Sequence, residues 1–163
     1  MQEDEALEIA PARRADTPEI LRLIRALAEY EKLPHEVVAS ERGLDEALWG
    51  PTPAAEVVLA RLGGATVGFA LFFYSFSTFL GRRGLWVEDL FVWPQYRGRG
   101  YGGLLLRHLA RLAAARGCGR LEGSVLDWNQ DAIRVYRELG AVPMSDWTVY
   151  RLSGEALARL ARG

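Results

Sequence analysis

The sequence predicts an α/β fold, a central mixed β-sheet with helices packed on both faces, formed by one domain over residues 1–163. Three observations predict it. Half of the residues are hydrophobic and a quarter are charged, the balance of a globular chain with a core to bury. Apolar, β-branched and aromatic runs from Glu56 to Val92 follow one another in hairpin order, and after them strands alternate with helical patterns. Between those two regimes a glycine-rich turn, Gly98 to Gly103, joins a strand to a helix, as a parallel strand pair requires.

Taken in order, Leu7 to Pro11 is a short strand. Asp16, Thr17, Pro18 and Glu19 then supply an N-cap, an early-helix proline and a first-turn acid. The helix they open carries Ile20, Ile24, Leu27 and Glu31 on one stripe, with Leu23 and Tyr30 beside it, and stops before Pro34. Ser40 to Trp49 is a second, short helix, closed off by Pro51 and Pro53. Glu56 to Leu62 and Ala65 to Phe76 form a hairpin through Gly63 and Gly64. In its second arm Val67, Phe69, Leu71 and Phe73 alternate with Ala70, Phe72 and Tyr74, so both faces are apolar and the strand is central. Gly84 to Val92 is the next strand, Gly102 to Arg116 a long helix stopped by Gly117, and Arg120 to Leu126 a strand. Asn129 to Leu139 is a helix, Thr148 to Leu152 a last strand, and a short helix follows.

Charge and composition exclude several functions. Twenty basic residues, all but Lys32 arginine, face twenty-one acidic ones, so no global basic field draws the chain to nucleic acid or to anionic lipid. Leu62 to Gly81 holds no charge for twenty residues, the length of a membrane span, but its glycines, aromatics and Ser75, Ser77 and Thr78 suit a turn, a strand and a loop instead. Cys118 has no partner for a disulfide and the acidic start lacks a signal peptide's features, so a reducing cytoplasm is expected. Cys118 lies between two glycines with no histidine beside it, which reads as structural. His35 and His108 are far apart without ligand company, and no metal is expected.

Two segments carry chemistry. In Glu88-Asp89-Leu90-Phe91-Val92-Trp93-Pro94-Gln95-Tyr96-Arg97-Gly98-Arg99-Gly100-Tyr101-Gly102 a strand enters a turn with three alternating glycines that opens a helix. Backbone N–H groups there are free at the positive end of a helix dipole, and Arg97 and Arg99 add charge, so the turn suits a phosphate or pyrophosphate. Neither GxxxxGK[ST] nor GxGxxG is present, and the physics names an anion without naming which. In the segment from Asp127 to Ala141, Asn129 can cap the helix, and Asn129, Ile133 and Tyr136 lie on one stripe. Taken alone, this segment reads rather as a capped helix with Tyr136 a core tyrosine whose hydroxyl is satisfied.

Together the two segments resemble the GCN5-related N-acetyltransferase (GNAT) superfamily, whose motif [QR]-x-x-G-x-[GA] is met by Arg97, Gly100 and Gly102, with Asn129 and Tyr136 at matching distance. Leu27-Ala28-Glu29-Tyr30-Glu31, Gly68-Phe69-Ala70, Glu88-Asp89-Leu90-Phe91-Val92 and Trp128-Asn129 resemble the diamine acetyltransferases in particular, the spermidine/spermine and thialysine group. The resemblance runs from about residue 8 to residue 152. It implies the acyl-CoA N-acyltransferase fold, acetyl-CoA wedged where two parallel strands splay, and a homodimer. Residue by residue, it implies that the backbone of Leu90, Phe91 and Val92 pairs with the pantetheine arm. Arg97, Gly98, Arg99, Gly100, Tyr101, Gly102 and Gly103 would wrap the pyrophosphate, and Asn129 would touch CoA. Tyr136 would protonate the leaving thiolate and Glu88 would take a proton from the amine. Tyr30, Glu31, Asp89 and Trp147 would line a groove for a cationic amine.

Adjacent residues of a strand point to opposite faces, so only one of Glu88 and Asp89 can face the CoA side unless a bulge intervenes. One departure from the pattern matters. Relatives that prefer polyamines carry an Asp and a Trp where this chain has Ser77 and Phe79, which leaves room for a shorter diamine, a thialysine-like amino acid or a lysine derivative. A protein lysine or N-terminus as acceptor, or an acyl-CoA-binding module without turnover, are the alternatives.

Overall fold

The computed structural model describes residues 6–163; the acidic start read above lies partly outside them, at residues 1–5. Ten regular elements follow: β1 (Glu8–Pro11), α1 (Thr17–Tyr30), α2 (Glu41–Trp49), β2 (Glu56–Leu62), β3 (Ala65–Ser77), β4 (Arg82–Val92), α3 (Tyr101–Ala115), β5 (Leu121–Gly123), α4 (Gln130–Glu138) and α5 (Gly154–Arg162). The strands form one sheet in the order β1-β2-β3-β4-β5, antiparallel from β1 to β4 and parallel between β4 and β5.

Helices cover both faces. Leu105, Leu106 and Leu109 of α3 pack on one face against Val58, Ala70, Phe72, Leu85 and Val87. Ile20, Leu23 and Leu27 of α1, with Leu48 of α2, pack on the other against Leu59, Phe69, Leu71 and Phe91. The apolar alternation of β3 therefore serves two cores, as expected of a central strand, with one exception. Val67 joins Ala70 and Phe72 on the α3 face, because the β2–β3 register slips between Ala60 and Arg61 and leaves Val67 as an extra residue.

The helix starts differ in how they are held. Ser40 Oγ caps α2 by accepting from Gly43 N–H at 3.1 Å. Asp16 does not cap α1 with its side chain: its carboxylate accepts from the Arg13 N–H at 2.7 Å and from Arg61 at 2.8 Å, so Pro18 and the first-turn Glu19 set the start instead. α1 ends at Tyr30, and Lys32 adopts the left-handed backbone (φ 63°) that turns the chain away before Pro34.

Two expected strands fall short. β5 covers three residues rather than seven, and residues 148–152 form no strand at all. Strand backbone needs a partner for its N–H and C=O groups, and the outer edge of β5 meets no strand among the described residues. Val142, Met144, Trp147, Val149 and Tyr150 are consequently exposed, Tyr150 to 93%. No helix among the described residues is long and apolar enough to cross a membrane, and the uncharged run Leu62–Gly81 is mostly β3 and its flanking turns.

Candidate active site

β4 and β5 pair only from Leu85↔Leu121 to Val87↔Gly123. Past that point β4 continues to Val92 while Ser124, Val125 and Leu126 leave the sheet, and a cleft of about 640 Å³ opens between the two chains. Glu88, Leu90, Phe91 and Val92 line one side, residues 124–126 with Asn129 and Tyr136 the other, and the glycine turn closes one end. The backbone groups of β4 that point away from β3 have no strand partner along this stretch.

The turn leaves open space beside its backbone. Gly98 (φ 77°) and Gly100 (φ 78°) take left-handed backbone, which brings the chain sharply into the first turn of α3. A Cβ placed at Gly98, Gly100, Gly102 or Gly103 would meet no heavy atom within 4 Å, so the space beside these residues is open to a ligand. The leading N–H groups of α3 have no intrahelical acceptors. Arg97, Gly98, Gly100, Tyr101, Gly102 and Gly103 line the cleft. Arg99 does not: its guanidinium carbon lies 5.7 Å from the Tyr96 ring centroid.

Tyr136 reaches the point where the strands part. Its hydroxyl lies 2.9 Å from where a Cβ on Gly123 would stand, and the Val87 carbonyl lies 3.0 Å from the same point. Gly123 is thus the residue that admits the hydroxyl, a role not foreseen from the sequence, where its only signal is a glycine inside a strand pattern. Burial pushes the Tyr136 phenol up to about 12, so it keeps its proton across the working range.

A bulge decides the Glu88–Asp89 question. Leu71 pairs with Asp89 and Phe72 with Val87, so Glu88 is the extra residue of β4 and the alternation breaks there. Glu88 acts electrostatically on Asp89 and on Glu31 at the end of α1, and Glu31 acts on Asp89. Glu88 is exposed, lines the cleft and accepts a hydrogen bond from Trp86 Nε1 at 3.1 Å, a contact the sequence reading missed. Asp89 sits deeper: burial, then Glu88 and Glu31, push its carboxyl up to about 7. Glu31 is raised by burial and by Glu88. Three carboxylates gathered this way favour a cation among them.

Tyr30 and Glu31 line the cleft; Asp89 lies behind its lining, and Trp147, 74% exposed, is not brought to it. Tyr30 donates from its hydroxyl to Asn129 Oδ1 at 3.3 Å, and the same oxygen caps α4 by accepting from Ala132 N–H at 3.2 Å. Ser77, half-buried at the end of β3, and Phe79, exposed in the turn that follows, do not line the cleft, and Ser77 Oγ accepts from Leu80 N–H.

Comparison with known proteins agrees with this geometry. Residues 22–141 match the acetyltransferase (GNAT) family. The chain is 39% identical to the thialysine N-epsilon-acetyltransferase of Bos taurus, over 94% of this chain and 96% of that one. It is 31% identical to the L-ornithine N5-acetyltransferase of Arabidopsis thaliana, over 90% and 84% respectively. Among solved structures it resembles an integron cassette protein from the mobile metagenome of V. cholerae, with a TM-score of 0.81, 25% identity, and coverage of 96% of this chain and 98% of that one. The splayed strands, the glycine turn and the family match together establish that this chain is a member of the GNAT family and an N-acetyltransferase.

Proposed function

We propose that the cleft takes acetyl-CoA and that the chain moves its acetyl group directly to a primary amine of a small cationic metabolite, a diamine, polyamine or thialysine-like amino acid. The observation that carries this reading is the bulge at Glu88, which gathers two consecutive carboxylates with Glu31 beside the cleft and the glycine turn. Relatives named for thialysine and L-ornithine support an amine of this size.

The residues present fit the donor. The open space over Gly98 to Gly103 and the free N–H groups of α3 suit a pyrophosphate, and the unpaired edge of β4 suits the amides of a pantetheine arm. When bound, acetyl-CoA supplies a thioester carbonyl and a thiolate leaving group. An alkylammonium of pKa ~10.4 cannot attack until it sheds a proton, and Glu88, exposed in the cleft, accepts that proton through water. Tyr136, protonated and at the strand divergence, donates to the sulfur as it leaves. Glu31, which lines the cleft, holds the acceptor's second positive charge, and Asp89 adds its field from behind the lining. Ser77 stands where relatives that prefer polyamines carry a carboxylate, and that departure favours a short acceptor.

The test is thiol release from acetyl-CoA over putrescine, spermidine, spermine, ornithine, lysine, thialysine and a lysine peptide. Turnover of a short amine is the expected result. Turnover of the peptide alone would move the assignment to a protein acceptor, and CoA binding without release on any amine would favour a non-catalytic module. One variant tests the donor site. Gly102→Ala meets no steric obstacle and should leave the fold intact or stabilise it by up to about 1 kcal/mol, while weakening CoA binding at least several-fold. Thermal melts and calorimetric titration with CoA measure the two effects.

The same reading includes a homodimer. Among the described residues β5 has an open edge, and residues 142–150 carry five exposed large apolar side chains, Val142, Met144, Trp147, Val149 and Tyr150, with no partner strand. Each copy offers what the other lacks, so two copies satisfy each other reciprocally. Val149→Asp with Tyr150→Asp should give a monomer by sedimentation; an unchanged dimer would place the interface elsewhere.

A further inference from the structure

The side chain of Arg97 does not point at the open space beside the glycine turn. Its Nε donates to the Val92 carbonyl at 2.9 Å, and its guanidinium carbon stands 4.2 Å from the Tyr30 ring centroid and 5.3 Å from that of Phe91. Tyr30 is gripped in turn: its ring lies 5.9 Å from that of Trp128, and its hydroxyl donates to the Asn129 oxygen that caps α4. Lys32 Nζ completes the stack, 4.7 Å from the Trp128 centroid. Four pieces of the cleft meet at one tyrosine. They are the end of β4, the glycine turn, the α1 terminus that carries Glu31, and the start of the helix that carries Tyr136.

We propose that Arg97 is a positioning residue that locks the donor-binding turn to the acceptor-binding end of α1 through Tyr30, rather than a ligand of the donor's phosphates. The planar guanidinium is what the place requires. A flat cation stacks against an aromatic face while its edge N–H bonds a carbonyl in the same plane, a geometry that the compact, strongly hydrated ammonium of lysine does not reproduce. The Nε bond also ties down the Val92 carbonyl at the end of the strand's free edge, and Tyr30 carries the constraint across the cleft. Glu31, one residue further on, and Tyr136, two turns into α4, are thereby held in fixed relation to the turn that seats the donor.

This inference rests on the cleft being the acetyl-CoA site, and the test separates the two. Kinetic constants for acetyl-CoA and for the amine would be measured in the wild type, Arg97→Lys, Arg97→Gln, Tyr30→Leu and the Arg97→Gln/Tyr30→Leu double variant. They would be repeated with S-acetylpantetheine, a thioester donor that lacks the pyrophosphate. The expected result is a loss of roughly tenfold in kcat/KM for Arg97→Lys and Arg97→Gln alike, with a raised KM for the amine as well as for the donor. That loss should be of similar size with S-acetylpantetheine, and in the Tyr30→Leu background it should shrink to about twofold or less. A phosphate ligand behaves otherwise. If Arg97→Lys acts like the wild type, if the loss vanishes with S-acetylpantetheine, or if the two sites are additive, the positioning role is overturned. Should a variant prove unfolded by circular dichroism, the Arg97→Lys comparison, which keeps charge and bulk, decides alone. Failure of the wild type to bind CoA would instead overturn the donor site itself.

Discussion

Tyr136→Phe is expected to lower kcat by about a hundredfold while leaving CoA affinity and the fold unchanged, since a positioned proton donor contributes ~10²–10⁴ in rate. Only one oxygen is removed. The ring remains packed among Val135, Leu139 and the α3 face of the sheet, and no side chain among the described residues hydrogen-bonds the hydroxyl. The hydroxyl stands where β4 and β5 part, in the gap that Gly123 leaves, and burial has pushed it up to about 12. A group so raised does not act as a base at neutral pH; in the proposed reaction it would offer a hydrogen bond to charge that develops on a leaving sulfur. Stopped-flow thiol release beside CoA titration distinguishes this from a binding defect. If kcat falls less than threefold, Tyr136 has no part in the chemistry.

The second large effect belongs to Asp89. Its carboxyl, ordinarily near 3.8, stands at about 7 through burial and the neighbouring Glu88 and Glu31. In the folded chain it therefore holds a proton that the unfolded chain releases between about pH 4 and pH 7. Stability falls as pH rises through that window and is lower above it, by at most about 4 kcal/mol at ~1.4 kcal/mol per unit. Asp89→Asn should remove this slope, so that the variant melts higher than the wild type at pH 8 and no higher at pH 4. A cationic acceptor needs the charged form. The wild type's kcat/KM for the amine should accordingly rise through a limb near pH 7, a value that belongs to the coupled cluster, and Asp89→Asn should lose that limb along with about a hundredfold of kcat/KM. A variant that is stabilised yet keeps its kcat/KM and its pH limb would show that Asp89 binds no substrate charge. The stability strained in this cluster is what a cation in the cleft would recover.

Much of this arrangement is legible from residues close in sequence. Glycine doublets, prolines and apolar periodicity locate β2, β3, α1 and α3 to within about two residues, because a hairpin turn and a helix face are decided locally. The glycine turn, Asn129 and Tyr136 are legible for the same reason: fixed spacing on one turn or one helix. What escapes the sequence depends on strand register and on long-range partners. Period-two reasoning sends Glu88 and Asp89 to opposite faces, and one slipped pair between Leu71 and Phe72 gathers both with Glu31. The same kind of slip moves Val67 to the other core. Arg97 reads as a phosphate cation from its place in the turn, whereas its contacts lie on Tyr30, 67 positions earlier, which no local pattern signals. Residues 148–152 have a strand's composition and no neighbour in the sheet, so composition alone mistakes an unpaired segment for a formed strand.

The central claim is that donor and acceptor meet in one cleft and that the acetyl group passes between them without stopping on the protein. Initial rates of thiol release with acetyl-CoA and amine varied together test it directly, in the wild type and in Cys118→Ala, since Cys118 is the chain's one thiol and packs against the α3-face core. Direct transfer requires both to be bound at once and predicts intersecting double-reciprocal lines, with one N-acetylated amine per thiol released and no change in the Cys118→Ala protein. Parallel lines, with acetyl-enzyme detected by intact mass in the absence of amine, would contradict the account.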